Sequence, residues 1–165
     1  MAVVVYLGER RKRDGAMTMV HHTGLCPADI ERSVRFYRDG IGLSVLADFA
    51  MDADLEPLLG RRTSHVRAVF LGSPDSPQGG TLELLDPGGA DIGEEPKGSG
   101  TPHRGVFLLS FVVDVAEVLR RLGDLGLGGE PRSMTTAGGV TATVVDPDGV
   151  TVELLSGPMT MLPPG

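Results

Sequence analysis

A chain of 165 residues is long enough to bury a core without disulfide or metal staples, and its net charge of −7 disfavours nonspecific contact with nucleic-acid phosphates or anionic membrane. It has no Trp, hence little surface for stacking bases, and its one cysteine, Cys26, excludes an intrachain disulfide and suits a reducing cytoplasm. No apolar run is long enough to cross a bilayer, so neither nucleic acid nor membrane is an expected partner.

Residues 1–16 read as a loosely attached extension. Their apolar run precedes the charges of "ERRKR", the reverse of a secretion signal. Patterned sequence begins near Met17 or Met19. Val20 to Cys26 predicts a strand. Helical spacing of Ile30, Val34, Tyr37 and Ile41 follows, with Asp29 placed to cap the first turn and Gly40 or Gly42 to end the helix. "LSVLADFAM" and "HVRAVFLG" predict strands on either side of a turn-rich or helical insert, "DADLEPLLG". After the loop "SPDSPQGG", the strand "TLELL" closes a first half.

A Gly- and Pro-rich linker comes next, and then the order repeats. "VFLLSFVVD" predicts a strand, and Val115, Val118, Leu119, Leu122 and Leu125 mark one face of a helix. "EPRSMTT" and "VTATVVD" predict two more strands, "DPDG" a turn, and "TVELL" the closing strand. The expected division is an extension (1–16), a first βαβββ module (17–87), a linker (88–104), a second βαβββ module (105–156) and an irregular tail (157–165).

One helix per module covers only one face of its sheet, so two modules can set their open faces around a shared cavity. Strand alternation assigns the faces. Leu82, Leu84, Val152 and Leu154 should pack on helices, as should Phe107, Leu109 and Phe111. Glu83 and Glu153 should then point away from the helices. His22 shares a face with Cys26, whereas His21 falls on the helix side. Leu108 and Ser110 should point inward. If the halves correspond, His22, Glu83, Leu108 and Glu153 occupy the privileged inward positions. Three of these carry metal-ligand chemistry and one does not.

The stretches "HHTGLCPADIERSVRFYRDGIGL", "GGTLELLDP", "LLSFVVDVAEVLRRL" and "VVDPDGVTVELL" together resemble the vicinal oxygen chelate superfamily of glyoxalases, bleomycin resistance proteins and extradiol dioxygenases, over residues 19–156. The resemblance implies an α+β, glyoxalase-like fold: two tandem βαβββ modules forming a cupped mixed sheet around a central cavity, in a chain that commonly pairs as a homodimer. It places the family's metal ligands on His22, Glu83 and Glu153. The fourth ligand position, usually histidine, falls on Leu108.

Two carboxylates and one imidazole suit a divalent ion such as Mg, Mn, Zn, Ni or Fe. Such an ion would act as a Lewis acid on a carbonyl or enediolate oxygen, with Glu153 as the proton-transferring group. That chemistry belongs to a lyase or isomerase acting on a small substrate, a vicinal dioxygen compound or thioester. An extradiol dioxygenase wants two histidines, and only one of them is present. Leu108 supports the other reading, a metal-free protein that sequesters an apolar or antibiotic-like molecule in a pocket lined by Leu108, Ser110 and Cys26. His103 is a remote candidate for a replacement ligand. His21 and His65 are expected to be surface or packing residues, and Cys26 a small hydrophobe.

Overall fold

The structure, a computed structural model, describes residues 20–75, 80–88, 102, 104–136 and 139–157. The extension 1–16, His103 and nearly all of the linker and tail lie outside the described residues. Strand β1 (His22–Leu25) leads into helix α1 (Ile30–Val34), which continues as a π-helical segment (Arg35–Ile41). Strand β2 (Ser44–Asp52), the short helix α2 (Glu56–Leu59), β3 (His65–Gly72) and β4 (Thr81–Asp86) complete the first module. The second runs β5 (Leu108–Val112), α3 (Val115–Leu125), β6 (Gly128–Thr136), β7 (Gly139–Val145) and β8 (Thr151–Leu155).

Both sheets have four strands and the same topology: β1-β4-β3-β2 and β5-β8-β7-β6. The first strand of each runs parallel to the last, and the other pairs are antiparallel. The duplication extends to the helix starts. Asp29 accepts from Arg32 N at 3.0 Å and Asp114 from Glu117 N at 3.0 Å, each satisfying an otherwise free helical N–H for about 1 kcal/mol. Both helices stop at a left-handed glycine, Gly42 (φ 103°) and Gly126 (φ 65°), a conformation that costs glycine little.

Leu82, Leu84, Val152 and Leu154 are all at most 2% exposed and lie in one core with Val34, Tyr37, Val118 and Leu122. Leu109 and Phe111 pack against it. α1 and its π continuation touch the helix-facing side of both sheets. They pack beside β4, and the Tyr37 ring lies 6.3 Å from that of Phe111 on β5. The helices are thus the shared middle of the core, and the glutamate-bearing face of each sheet is turned away from it.

Close helix contact demands a small residue at Gly40. A Cβ there would overlap Leu122 Cδ2 and sit 3.2 Å from Leu122 Cγ. Leu122 is itself 2% exposed and has no room to yield. Gly40→Ala should therefore lower stability by about 1–3 kcal/mol despite its better helix propensity, read as a lower urea midpoint at unchanged slope.

The modules are also latched by the "DPDG" turn. Asp146 accepts from Tyr37 Oη at 2.7 Å, Val150 N at 2.7 Å and Asp148 N at 2.9 Å. Asp148 accepts from Ala28 N at 2.8 Å and Ser33 Oγ at 2.9 Å. By composition the stretch reads only as a turn. In the fold it joins the start of β8 to the first helix.

Candidate functional site

On the open face of the first sheet, β1 and β4 run in parallel register with His22 opposite Thr81 and Gly24 opposite Glu83. Gly24 leaves space. A Cβ there would lie 3.7 Å from Glu83 Oε2, so the carboxylate lies beside Gly24 and meets His22 instead. His22 Nε2 sits 3.2 Å from Glu83 Oε2, and the two side chains are 40% and 18% exposed, within reach of a ligand. Phe70 packs edge-on to the His22 ring at 5.8 Å, and Phe49 stacks on Phe70 at 6.0 Å. The pair therefore borders an aromatic wall.

The second sheet repeats the frame with different residues. Leu108 lies opposite Thr151 and Ser110 opposite Glu153. The matching threonines, Thr81 and Thr151, are each 6% exposed, which fixes the correspondence. Leu108 thus stands where His22 stands, and Ser110 where Gly24 stands. Ser110 has a hydroxyl where Gly24 has nothing, and it donates to Glu153 Oε2 at 2.6 Å. The two glutamates differ in the partner beside them: an imidazole in the first half, a hydroxyl in the second.

The spacing of the donors bears on whether they fit a divalent ion. Two ligands bound at about 2.1 Å lie about 3.0 Å apart at a right angle and about 3.4 Å apart at the tetrahedral angle. The 3.2 Å between His22 Nε2 and Glu83 Oε2 falls between these, and also fits an ordinary imidazole–carboxylate hydrogen bond. Among the described residues, however, no three His, Cys, Asp or Glu side chains gather closely enough to hold an ion. His22 and Glu83 come together, but Glu153 does not join them within the chain, because it belongs to the other sheet and both open faces are turned from the shared core. Among the described residues, each sheet face carries one part of the expected donor set, and neither alone gathers three ligands.

The remaining candidates divide. Ser110 and Leu108 share the open face with Glu153, as alternation requires. Cys26 is exposed just beyond β1 and donates to the carbonyl of Leu85 at 3.1 Å. Partial burial of the thiol, then the carboxylates of Asp86 and Asp148, push its pKa up, which disfavours the nucleophilic thiolate. His65 is a surface residue paired to Asp52 at 2.8 Å. His21 is a surface residue, one of the two places expected of it, and leaves the helix side that alternation gave it. It precedes the first residue of β1, so strand alternation does not apply to it; it is exposed, and its Nδ1 lies 2.8 Å from His22 Nδ1. An open depression of about 580 Å³ lies elsewhere, bordered by Val112, Val115, Val140 and Ser156, and none of His22, Glu83 and Glu153 lines it. No helix among the described residues is long and apolar enough to cross a membrane.

The chain is 36% identical over 150 residues to the lactoylglutathione lyase-like protein terB of Aspergillus terreus, covering 84% of this chain and 75% of that protein. Among solved structures it resembles the trypanothione-dependent glyoxalase I of Leishmania major (TM-score 0.60, 24% identity, 84% of this chain and 86% of that one). It also resembles TnmS3, an antibiotic binding protein from Streptomyces sp. CB03234 (TM-score 0.55, 24% identity, 86% and 97%). At such identities the two structures speak for the fold alone. The model of the Glyoxalase/Bleomycin resistance protein/Dioxygenase superfamily matches residues 19–154, and the chain belongs to that superfamily.

Proposed function

We propose that the protein is a metal-assisted lyase or isomerase of the glyoxalase type, acting on a small substrate that presents a vicinal dioxygen group or a thioester, and that a second copy of the chain completes its site. The observation that carries this reading is the His22–Glu83 pair, spaced as two ligands of one ion on an open sheet face, together with a second carboxylate, Glu153, on the equivalent face of the other sheet. In a two-fold dimer the first sheet of one protomer faces the second sheet of its partner, and the same contact occurs twice. His22, Glu83 and Glu153 of the partner subunit would then hold a divalent cation. When bound, that cation would polarise a substrate oxygen.

The chain's own residues supply the rest. Ser110 donates to one oxygen of Glu153, and the other takes a proton from a substrate carbon when that carboxylate leaves the cation or binds it loosely. Phe70 and Phe49 wall the site beside His22 and reduce the water around it. The 36% identity to a lactoylglutathione lyase-like protein supports the lyase class. The single thiol suits the cytoplasm as its compartment.

A metal-free sequestering protein is the second reading. It is favoured by Leu108 in the place of a ligand and by exposed apolar side chains such as Phe49 (43%), Val112 (57%) and Met134 (63%). The likeness to the antibiotic binding protein TnmS3 points the same way. Elemental analysis of protein purified without chelator separates the two. The enzyme reading expects about one divalent ion per chain, lost in both Glu83→Ala and Glu153→Ala. Metal-free protein that binds an aromatic antibiotic tightly would establish the second reading instead.

A further inference from the structure

We infer that His21 is a positioning residue for His22, setting which ring nitrogen of His22 carries the proton and therefore which is presented to Glu83. On a strand, neighbouring side chains point to opposite faces and cannot meet. His21 escapes that constraint because β1 begins only at His22. Its ring stands edge-on to that of His22, with centroids 5.1 Å apart at 87°, and the two Nδ1 atoms lie 2.8 Å apart. Phe70 packs edge-on to the same ring at 5.8 Å. His22 is thus fixed through its ring plane and through both of its nitrogens.

Two imidazole nitrogens at this distance share one proton: one donates and the other accepts. A neutral His22 therefore has two states. In the first, His21 Nδ1–H donates to His22 Nδ1, and His22 Nε2–H donates to Glu83 Oε2, 3.2 Å away. In the second, His22 Nδ1–H donates to His21, and Nε2 offers a lone pair beside the carboxylate. Only the second state gives a cation a nitrogen. Passage between them moves one proton across the Nδ1–Nδ1 contact. The Nε2 proton of His22 leaves to solvent, and the exposed His21 takes one at its own Nε2, so both rings stay neutral. No ring has to turn. A second hydrogen-bond partner of this kind orients a ligating imidazole and strengthens it.

Where a cation is concerned, the inference rests on the two-chain reading above; the tautomer effect does not. The test uses the full-length protein, the variants His21→Phe and His21→Gln, and two readouts. Phe keeps a ring edge against His22 but neither donates nor accepts. Gln does both. In metal-free protein labelled with ¹⁵N, long-range ¹H–¹⁵N spectra should show the His22 tautomer balance changed by His21→Phe and kept by His21→Gln. Titrated with Zn²⁺ or Mn²⁺, His21→Phe should bind about 10- to 100-fold more weakly than wild type, and His21→Gln should recover most of the loss. An unchanged His22 tautomer balance in His21→Phe overturns the inference, as does His21→Gln binding as weakly as His21→Phe. If the wild type takes up no cation yet the tautomer balance shifts as expected, the metal reading falls and the role of His21 stands.

Discussion

Mixing Glu83→Ala protein with Glu153→Ala protein, each inactive alone, should restore about one quarter of the wild-type sites, because half of the randomly paired dimers are mixed and each mixed dimer has one intact site of two. This outcome follows from the proposed sharing of the site between two chains. A Glu83→Ala chain keeps a sound second sheet, with Ser110 holding Glu153. A Glu153→Ala chain keeps a sound first sheet, with His22 beside Glu83. Facing each other, they rebuild one full donor set; the other site of the same dimer lacks both carboxylates. Each variant alone should lose activity by about 10²–10⁴-fold, the Glu153 variant through its proton-transferring carboxylate and the Glu83 variant through the cation it helps to hold. Neither should unfold, since both side chains lie on open faces away from the core. The measurement is bound metal and turnover after subunit exchange in mild denaturant. Activity that stays at the level of the separate variants would mean that no site is shared between chains.

The fold was legible because its signals are local. Two-residue alternation assigned Leu82, Leu84, Val152 and Leu154 to the core and both glutamates to the opposite faces, and the burial agrees. The cap at Asp29 needed only its own first turn. The helix face was read less well. A 3.6-residue period selects Tyr37 but leaves Phe36 off the apolar stripe, yet both are fully buried. The π-helical segment explains this: the Gly42 N–H reaches back five residues to the Tyr37 carbonyl, which widens the turn and places adjacent residues in the core.

The candidate site was legible only in halves. Pairing His22 with Glu83 follows from the register of neighbouring strands, which sequence periodicity approaches. Whether Glu153 comes near depends on how two modules dock through their helices, and no periodicity encodes that. The contact of His21 with His22 was hidden for the opposite reason. It depends on the strand beginning two residues later than "VHHTGLC" suggests, and element boundaries are the weakest part of any pattern. The same limit applies to Asp146. The turn chemistry of "DPDG" is visible, but its partner Tyr37 stands 109 positions away.

That distant pair should show the largest effect on stability. Asp146 is 5% exposed and accepts three hydrogen bonds, from Tyr37 Oη and from the backbone N–H groups of Val150 and Asp148. Asp146→Ala would strip one buried and two partly buried donors of their acceptor and should cost about 3–5 kcal/mol, enough to threaten a domain of ordinary stability. Tyr37→Phe removes a single donor to a carboxylate and should cost about 1.5–3 kcal/mol. Burial pushes the Asp146 carboxyl above its ordinary range; the three donated bonds oppose the rise, and Asp148 adds to it. The folded chain therefore holds this proton more tightly than the unfolded chain. Its contribution to stability is complete below the ordinary carboxyl value and is lost as pH rises through the raised one. Asp146→Asn keeps an oxygen for the two backbone N–H groups and turns its amide toward Tyr37, whose hydroxyl can rotate to accept. Its stability should respond less to pH than that of wild type. Urea unfolding between pH 4 and pH 7 should show wild type losing ground to Asp146→Asn as pH increases. A wild type that gains on the variant over that range would mean the buried carboxyl is held in its charged form. The latch between the modules would then be an ionic one, with its donated hydrogen bonds outweighing burial.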